Sequence, residues 1–196
     1  AICADLCTAD LAMVMESAVS LLGGGLDVLV NNAGAGTLGQ SVEETKMVDF
    51  DTTMSLNLRS VFLLTQCAIP HLKRSKQTRS QVSPSIINVS SFAADRPIKN
   101  LSAYCISKAA IDSLTKCLAL ELGEFGIRCN SVRPATVATQ FHARAGMGDI
   151  KAQEFYDSGA KVHPIGRIGT GDDIAELIAF LADGTKSGWV TGSCID

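Results

Sequence analysis

Short apolar runs alternate with longer helical patterns along this chain, and this alternation restricts its fold more than any other feature. Five runs are rich in apolar residues and short enough to be strands, at residues 1–4, 26–30, 86–89, 127–132 and 189–195. Runs of this kind suit strands that are buried on both faces of a parallel sheet. Strands and helices in alternation predict an α/β fold, a doubly wound parallel sheet in one domain that covers residues 1–196.

Helical periodicity and good helix formers occupy the stretches between these runs, at residues 8–22, 48–71, 102–122 and 172–182. Asp5 or Thr8 is the expected N-cap of the first helix, and Thr170 is that of the last. The polar residues 73–83 are predicted to form an exposed loop. Residues 138–163 contain three glycines and are predicted to be irregular, forming a mobile lid.

The composition argues against several classes of function. The net charge is -3, which gives no electrostatic reason to expect nucleic acid or an anionic membrane as a partner. No apolar run approaches the roughly 18 residues that span a bilayer. The seven cysteines include no Cys-x-x-Cys pair, and the three histidines share no metal-ligand spacing with them. We therefore expect a reducing, cytoplasmic location and no metal site.

Tyr104 and Lys108 are four positions apart on a predicted helix, so they share one face. A tyrosine hydroxyl has an ordinary pKa of about 10, and a neighbouring ammonium is expected to lower it by stabilising the phenolate. Such a pair exchanges a proton with a carbonyl or alcohol oxygen near neutral pH. The alternative is a surface helix that carries Tyr and Lys by chance, and this motif alone does not exclude it.

Two further residues strengthen the proton-transfer interpretation. Ser91 ends a predicted strand 13 positions before Tyr104, where its hydroxyl would hold the reacting oxygen beside the phenol. Asn57 lies in an apolar helix face, and its amide needs a partner there, either a backbone group or a water. An ordinary turn residue and an exposed helical Asn are the alternatives for these two positions.

With these residues in place, the chain resembles the short-chain dehydrogenase/reductase family over essentially its whole length. Six family motifs occur in the family's order: Asn31-Asn32-Ala33-Gly34, Asn57, Ser90-Ser91, Tyr104-x-x-x-Lys108, Asn130-Ser131-Val132-Arg133-Pro134, and Arg167-x-Gly169 before the acidic residues Asp172-Asp173. The branch that includes oxoacyl-carrier-protein reductases and carbonyl reductases is the most similar. The resemblance implies a Rossmann-type fold and a nicotinamide cofactor, NAD(P)(H), with the family leaning toward NADP(H).

The resemblance also assigns roles to individual residues. It implies that Tyr104 is the general acid/base and that Lys108 lowers the pKa of Tyr104 and holds the ribose hydroxyls of the cofactor. It also implies that Ser91 positions the substrate oxygen and that Asn57 anchors a water. Asp5 would contact the adenine ring, and Val137 and Thr139 would hold the nicotinamide carboxamide. The remaining residues that would line the cofactor cleft are Leu6, Asn31, Ala33, Gly34 and Pro134.

Three departures from the family pattern are visible. One is that the chain ends at Asp196, where the family usually continues into a Gly-Gly turn, so that the domain is expected to be incomplete at both ends. The family's phosphate-binding loop, Gly-x-x-x-Gly-x-Gly, does not occur, and Gly23-Gly24-Gly25 does not replace it because it opens no helix. In the family's sheet order, the absence of the first strand-helix-strand unit would leave residues 26–30 as an exposed apolar edge. We therefore expect the natural protein to be longer by about one such unit. Ala135 also stands where the family usually has Gly.

The function expected on this basis is hydride transfer between the cofactor and a small-molecule ketone or secondary alcohol. Arg96 and Lys99 would favour an acidic substrate unless they are ordinary solvated loop charges. The resemblance implies a homodimer or homotetramer formed through residues 48–71 and Ser102–Leu122. The alternatives are a catalytically inactive binding or interaction protein of the same family, and a truncated form that associates with longer partners.

Overall fold

Four parallel strands form the centre of the molecule in the computed structural model, which describes residues 1–196. The strands are β1 (Val28–Asn31), β2 (Ser85–Val89), β3 (Arg128–Val132) and β4 (Cys194–Ile195), in the spatial order β1-β2-β3-β4. Leu29 is paired with Ile86, and Ile86 with Cys129. The predicted α/β fold with a parallel sheet is confirmed, and β1 lies at one edge of that sheet, paired with β2 alone.

Helices cover both faces of this sheet. They are α1 (Leu11–Leu21), α2 (Met47–Met54), α3 (Ser60–Thr78), α4 (Ser102–Leu122), α5 (Asp149–Val162), α6 (Gly171–Ala182) and the short α7 (Gly184–Ser187). A π turn, Ser55–Arg59, joins α2 directly to α3, so the helical path is continuous from Met47 to Thr78.

The strand β2 shows why its apolar residues are consecutive. Ile86 packs with Met15 of α1, Leu72 of α3 and Leu118 of α4. Ile87 points to the opposite face and packs with Leu181 of α6. Side chains of a strand alternate between the two faces of a sheet, so a strand covered on both sides must be apolar at successive positions. Both isoleucines are fully buried, which confirms the doubly wound arrangement.

Several predicted boundaries were wrong at the ends of the chain. Residues 1–4 form no strand; they are exposed and lead into a turn in which Thr8 and Ala9 donate to the Asp5 carbonyl. The N-cap of α1 is Asp10, whose carboxylate accepts from the amides of Ala12 and Met13, and neither Asp5 nor Thr8 has this role. The last predicted strand, residues 189–195, contributes only Cys194–Ile195 to the sheet.

Two polar segments are more ordered than their composition indicated. The predicted loop 73–83 belongs to α3 as far as Thr78, because its Lys, Arg and Gln side chains are good helix formers on an exposed surface. The predicted irregular segment 138–163 contains a π turn, Ala143–Met147, and the 14-residue helix α5. Gly148, with a φ of 76°, precedes α5, and Gly159 is buried inside it.

The predicted N-cap Thr170 is confirmed, and its removal gives a test of local stability. Thr170 Oγ1 accepts from the Asp173 amide, while the Asp173 carboxylate accepts from the Thr170 amide, completing a capping box. We expect Thr170→Ala to lower the free energy of unfolding by about 1 kcal/mol, measured by urea titration. Thr8→Ala, at an exposed threonine that caps no helix, is the control and should change it by less than about 0.5 kcal/mol.

Candidate active site

The carboxyl end of β2 holds two serines with different tasks. Ser90 Oγ donates to the Lys108 carbonyl over 3.1 Å and so fastens α4 to the strand end. Ser91 is buried and caps the 3-10 turn Phe92–Ala94, its Oγ accepting from the Ala93 amide at 3.2 Å. The Ser91 hydroxyl also lies close enough to the Tyr104 phenol to favour a lower pKa of that phenol. The serine hydroxyl and the phenol therefore lie together at the strand end, as the sequence predicted.

Lys108 lies on the same face of α4 as Tyr104 and extends toward the strand ends. Its Nζ donates to the Val89 carbonyl over 2.7 Å and is 5.6 Å from the centre of the Tyr104 ring. The residue is 4% exposed. Burial lowers the pKa of Lys108 to about 8, while the charge of Asp112, one helical turn further on, acts in the opposite direction. The amine is thus held in place by a backbone group, in a setting that disfavours its charge.

The pKa of Tyr104 does not follow the expectation from sequence. Burial of the phenol raises this pKa, and the neighbouring Ser91 hydroxyl only partly opposes the rise. The prediction that Lys108 lowers the pKa of Tyr104 is therefore wrong for this structure. The cause is the apolar environment: the Tyr104 ring packs against the buried cluster of Ala93, Leu101 and Cys105, and the loss of water penalises the phenolate.

Asn57 occupies the middle of the π turn Ser55–Arg59 and is 1% exposed. Its Oδ1 accepts from the Ala35 amide at 2.9 Å, and its Nδ2 donates to the Ala35 carbonyl at 2.8 Å and to Ser107 Oγ at 3.0 Å. Of the two partners expected for this amide, the structure shows the backbone group. The extra residue of a π turn redirects a side chain from the regular helix surface, and here it brings Asn57 to the loop after β1.

Two glycines allow this loop to lie against the catalytic side chains. A Cβ atom on Gly34 would be 3.2 Å from Lys108 Nζ and 3.4 Å from Asn57 Oδ1. A Cβ atom on Gly36 would be 3.0 Å from Tyr104 Cδ2 and 3.3 Å from Tyr104 Cβ. Gly34 was predicted at the cleft, whereas Gly36 was not. The sequence signal for Gly36 was its place in Ala33-Gly34-Ala35-Gly36, a run of small residues at a strand end.

We expect Gly36→Ala to disturb the Tyr104 ring while leaving the fold intact. The new methyl group would press on Tyr104 Cβ, which is anchored to α4 and cannot turn away. A displacement of about 1 Å at a reacting group lowers turnover by up to roughly 100-fold. Steady-state kinetics would measure the loss in kcat. The control is Gly171→Ala. A Cβ atom at Gly171 would meet open space, so this variant should retain full activity.

Asn31, which the resemblance assigns to the cofactor cleft, is the last residue of β1, and its side chain lies within the layer of the sheet. Its Nδ2 donates to Asn88 Oδ1 at 2.9 Å and to Thr65 Oγ1 at 3.2 Å, and Asn88 in turn donates to Thr115 Oγ1 at 2.9 Å. This buried chain of polar groups ties β1, β2, α3 and α4 together below the site. The Asn31 side chain is thus occupied in the sheet, and a cofactor contact of Asn31 stays a prediction, while Ala33 and Gly34 are exposed beyond it.

The segment after β3 forms the next wall of the site. The Pro134 carbonyl accepts from the Phe92 amide at 3.2 Å, and Val137 is bridged to Gly169. The Thr139 carbonyl accepts a 2.7 Å hydrogen bond from the Tyr156 hydroxyl. Farther away in the chain, Asp5 is exposed and accepts from the Cys7 amide, and Leu6 is half-buried. The cofactor contacts expected of Asp5, Leu6, Pro134, Val137 and Thr139 stay predictions.

Aromatic side chains that the sequence analysis missed extend from Tyr104 across residues 141–156. The Phe141 ring lies 5.2 Å from the Tyr104 ring, and His142 is within 5.3 Å of the rings of Phe141, Phe155 and Tyr156. Burial lowers the pKa of His142, so the imidazole is neutral at pH 7. These rings bring α5 over the phenol. The helical period of α5 would have indicated this face, but its glycines suggested irregular structure.

The nearly buried Lys108 indicates what this site can hold. An ammonium has three N–H donors, and only the Val89 carbonyl accepts from Nζ in this structure. Buried charged donors are stabilised by further acceptors, and hydroxyl groups of a ribose supply them. The residues present therefore fit the sugar of a nicotinamide cofactor. No three or more His, Cys, Asp or Glu side chains are grouped so as to hold a metal ion, and no helix is both long and apolar enough to cross a membrane.

Comparison with known proteins decides the family. The family model described as enoyl-(acyl carrier protein) reductase matches residues 6–196. A 4-formylbenzenesulfonate dehydrogenase from Comamonas testosteroni is 36% identical over 189 residues, which are 96% of this chain and 71% of the relative. The chain belongs to the short-chain dehydrogenase/reductase family.

Solved structures of this family have the same fold. A ligand-free aldohexose dehydrogenase from Thermoplasma acidophilum has a TM-score of 0.87 and 32% identity, over 99% of this chain and 74% of its own. A 3-ketoacyl-(acyl-carrier-protein) reductase from Brucella melitensis, complexed with NADH, has a TM-score of 0.85 and 34% identity, over 100% of this chain and 75% of its own. The chain thus spans about three quarters of the length of these two structures, and its four parallel strands with helices on both faces are of the Rossmann type.

Proposed function

We propose that this chain carries the catalytic site of a nicotinamide-dependent oxidoreductase that interconverts a ketone and a secondary alcohol. The observation that carries the proposal is the meeting of Ser91, Tyr104 and Lys108 at the carboxyl end of β2. Burial of an amine and a phenol beside a serine hydroxyl costs free energy, because burial penalises the charged form of both groups. A catalytic role accounts for that cost, whereas a binding protein without activity gives no reason for it. The family membership supports the same reaction class.

In the direction of reduction, the Tyr104 phenol donates its proton to the carbonyl oxygen of the substrate, and Ser91 holds the same oxygen by a hydrogen bond. The reduced nicotinamide supplies the hydride when it is bound. Burial raises the pKa of Tyr104, so the phenol carries the proton that it donates, although a higher pKa also makes it a weaker acid. In oxidation the same residue takes the proton from the alcohol.

The other site residues orient the cofactor and return the proton. Lys108, with Nζ fixed on the Val89 carbonyl, would hold the ribose hydroxyls. Asn57 fixes the Ala35 backbone and would also anchor a water that links Lys108 to solvent. Thr139 and Val137 would hold the carboxamide of the nicotinamide. We assign the adenine contact to Asp5. The residues that would line the rest of the cleft are Leu6, Asn31, Ala33, Gly34 and Pro134.

The proposal is tested with the protein expressed from its full natural reading frame. Oxidation of NADH and of NADPH is followed by absorbance against a panel of cyclic, aliphatic and aryl ketones, and the reverse reaction is followed with the matching alcohols. Turnover of at least one ketone is expected. We also expect kcat/KM to be higher with NADPH than with NADH. Cofactor binding without turnover of any carbonyl compound would instead favour a binding protein of the same family.

We propose further that the protein is a homodimer or homotetramer assembled through α3 and α4. Large apolar side chains are exposed on these helices: Phe62, Ile106 and Leu120 are 52%, 51% and 85% exposed. Apolar patches on adjoining helices are typical of protein interfaces. Light scattering at micromolar concentration is expected to give twice or four times the mass of one chain, and a monomer would contradict the proposal.

A further inference from the structure

Tyr156 is a nearly buried residue on α5 that joins this helix to the segment after β3. Its ring is 9% exposed, and its hydroxyl donates to the Thr139 carbonyl over 2.7 Å. A tyrosine hydroxyl has one hydrogen to give, so the 3.0 Å contact with His142 Nδ1 requires the imidazole to be the donor. The neutral His142 therefore carries its hydrogen on Nδ1 and fixes the hydroxyl from a second side.

The segment that Tyr156 holds is restrained at its other end by backbone pairing. Gly169 donates to the Thr136 carbonyl over 2.9 Å, and Ala138 donates to the Gly169 carbonyl over 3.0 Å. This pairing ends at Ala138. Beyond it, the peptide that follows Thr139 is oriented by the Tyr156 hydroxyl, which is positioned by α5 and not by the sheet.

We propose that Tyr156 is a positioning residue that fixes the main chain at Thr139 and thereby shapes the seat of the nicotinamide ring. The inference rests on the proposed function, in which Val137 and Thr139 hold the carboxamide. A buried carbonyl that loses its hydrogen-bond donor turns toward another donor or toward water, and the backbone moves with it. Tyr156 acts through Thr139 and touches no reacting atom.

The segment that leads into α5 is also fastened to the opposite wall of the site. The Leu38 amide donates to the Ala145 carbonyl over 2.9 Å, and Phe141 packs against the Tyr104 ring. The hydroxyl of Tyr156 therefore connects the nicotinamide seat to a unit that already touches the catalytic phenol. Loss of the hydroxyl should change the nicotinamide half of the cofactor site and leave the adenine half, near Asp5, unchanged.

The test compares a complete cofactor with a fragment that lacks nicotinamide, using the protein from its full reading frame. Tyr156→Phe keeps the ring and removes the hydroxyl. We expect the Kd of the reduced cofactor, measured by its fluorescence, to rise about tenfold, whereas the Kd of ADP-ribose or its 2′-phosphate, measured by calorimetry, should change less than twofold. Ser158→Ala removes an exposed hydroxyl from the same helix and should change neither constant.

The possible results separate the two proposals. If the unaltered protein binds no reduced cofactor, the proposed function fails. If it binds and turns over a ketone but Tyr156→Phe binds the reduced cofactor equally well, or loses affinity for both ligands alike, only the role of Tyr156 is overturned. Should Tyr156→Phe not fold, His142→Phe removes the second partner of the hydroxyl, and a rise of two- to threefold for the reduced cofactor alone is then expected.

Discussion

Tyr104→Phe is expected to lower kcat by about 1,000-fold, since proton transfer by a positioned side chain contributes roughly 10²–10⁴ to an enzymatic rate. The variant loses one oxygen from a ring that is otherwise held by Gly36, Phe141 and the apolar cluster around Leu101. The fold and the cofactor Kd should therefore change little. Single-turnover kinetics with the best ketone substrate would isolate the chemical step from cofactor release.

A control for this variant is available on the same helix. Ser113 is an exposed residue of α4, and Ser113→Ala removes a hydroxyl that faces away from the site. Its kcat should equal that of the unaltered protein within twofold. Equal rates for Tyr104→Phe and Ser113→Ala would exclude Tyr104 as the acid/base, because phenylalanine has no hydroxyl with which to transfer a proton.

Lys108→Met is expected to abolish activity and at the same time to stabilise the protein. The lowered pKa of Lys108, about 8 against an ordinary 10.5, corresponds to a penalty on the buried ammonium of about 3 kcal/mol at neutral pH. Methionine removes that penalty but leaves the Val89 carbonyl without its donor, which costs about 1 kcal/mol. The net gain of about 2 kcal/mol should raise the Tm by about 4–8 °C, while kcat/KM falls by at least 100-fold.

The pH dependence of this difference checks its cause. Because the folded-state pKa of Lys108 is below the unfolded-state value, the penalty is fully present below pH 8 and disappears as the pH rises toward 10.5. The stability advantage of Lys108→Met should therefore shrink over that interval in urea titrations. Lys116→Met, at an exposed lysine of the same helix, should show neither the gain nor its pH dependence. A Lys108→Met protein that is less stable than the unaltered one would refute the argument.

The parts of the fold that the sequence predicted correctly are those where pattern and packing agree. β2, β3 and α4 were predicted correctly because their apolar positions are the positions that are buried. Examples are Ile86 and Ile87 in β2, and the helical period of residues 102–122 in α4. The side chains that the sequence grouped, Ser91, Tyr104 and Lys108, lie together because they are at a strand end and on one face of a helix. Residues 1–4 were misread because an apolar run forms a strand only where a hydrogen-bonding neighbour is present.

Other features depend on tertiary contacts that no local pattern encodes. The rise in the pKa of Tyr104 comes from its burial against the cluster of Ala93, Leu101 and Cys105, which forms only when the turn after β2 packs on α4. The burial of Asn31 depends on Asn88 and Thr65, and the order of α5 depends on Tyr156 reaching Thr139. In each case the sequence named the right region, and the long-range partner decided the environment of the side chain.

The π turn at Ser55–Arg59 has a consequence for how this protein can vary. A π turn is a helix with one additional residue, and each residue of an α-helix turns the chain by about 100°. Deletion of a single residue between Met47 and Ser60 would restore an ordinary helix, but it would rotate Asn57 away from Ala35 or turn the buried face of α3 away from Leu72 and the sheet. Amino-acid exchanges at exposed positions such as Asp51 and Arg59 should be tolerated, whereas the length of this segment should be invariant in any engineered library that retains turnover.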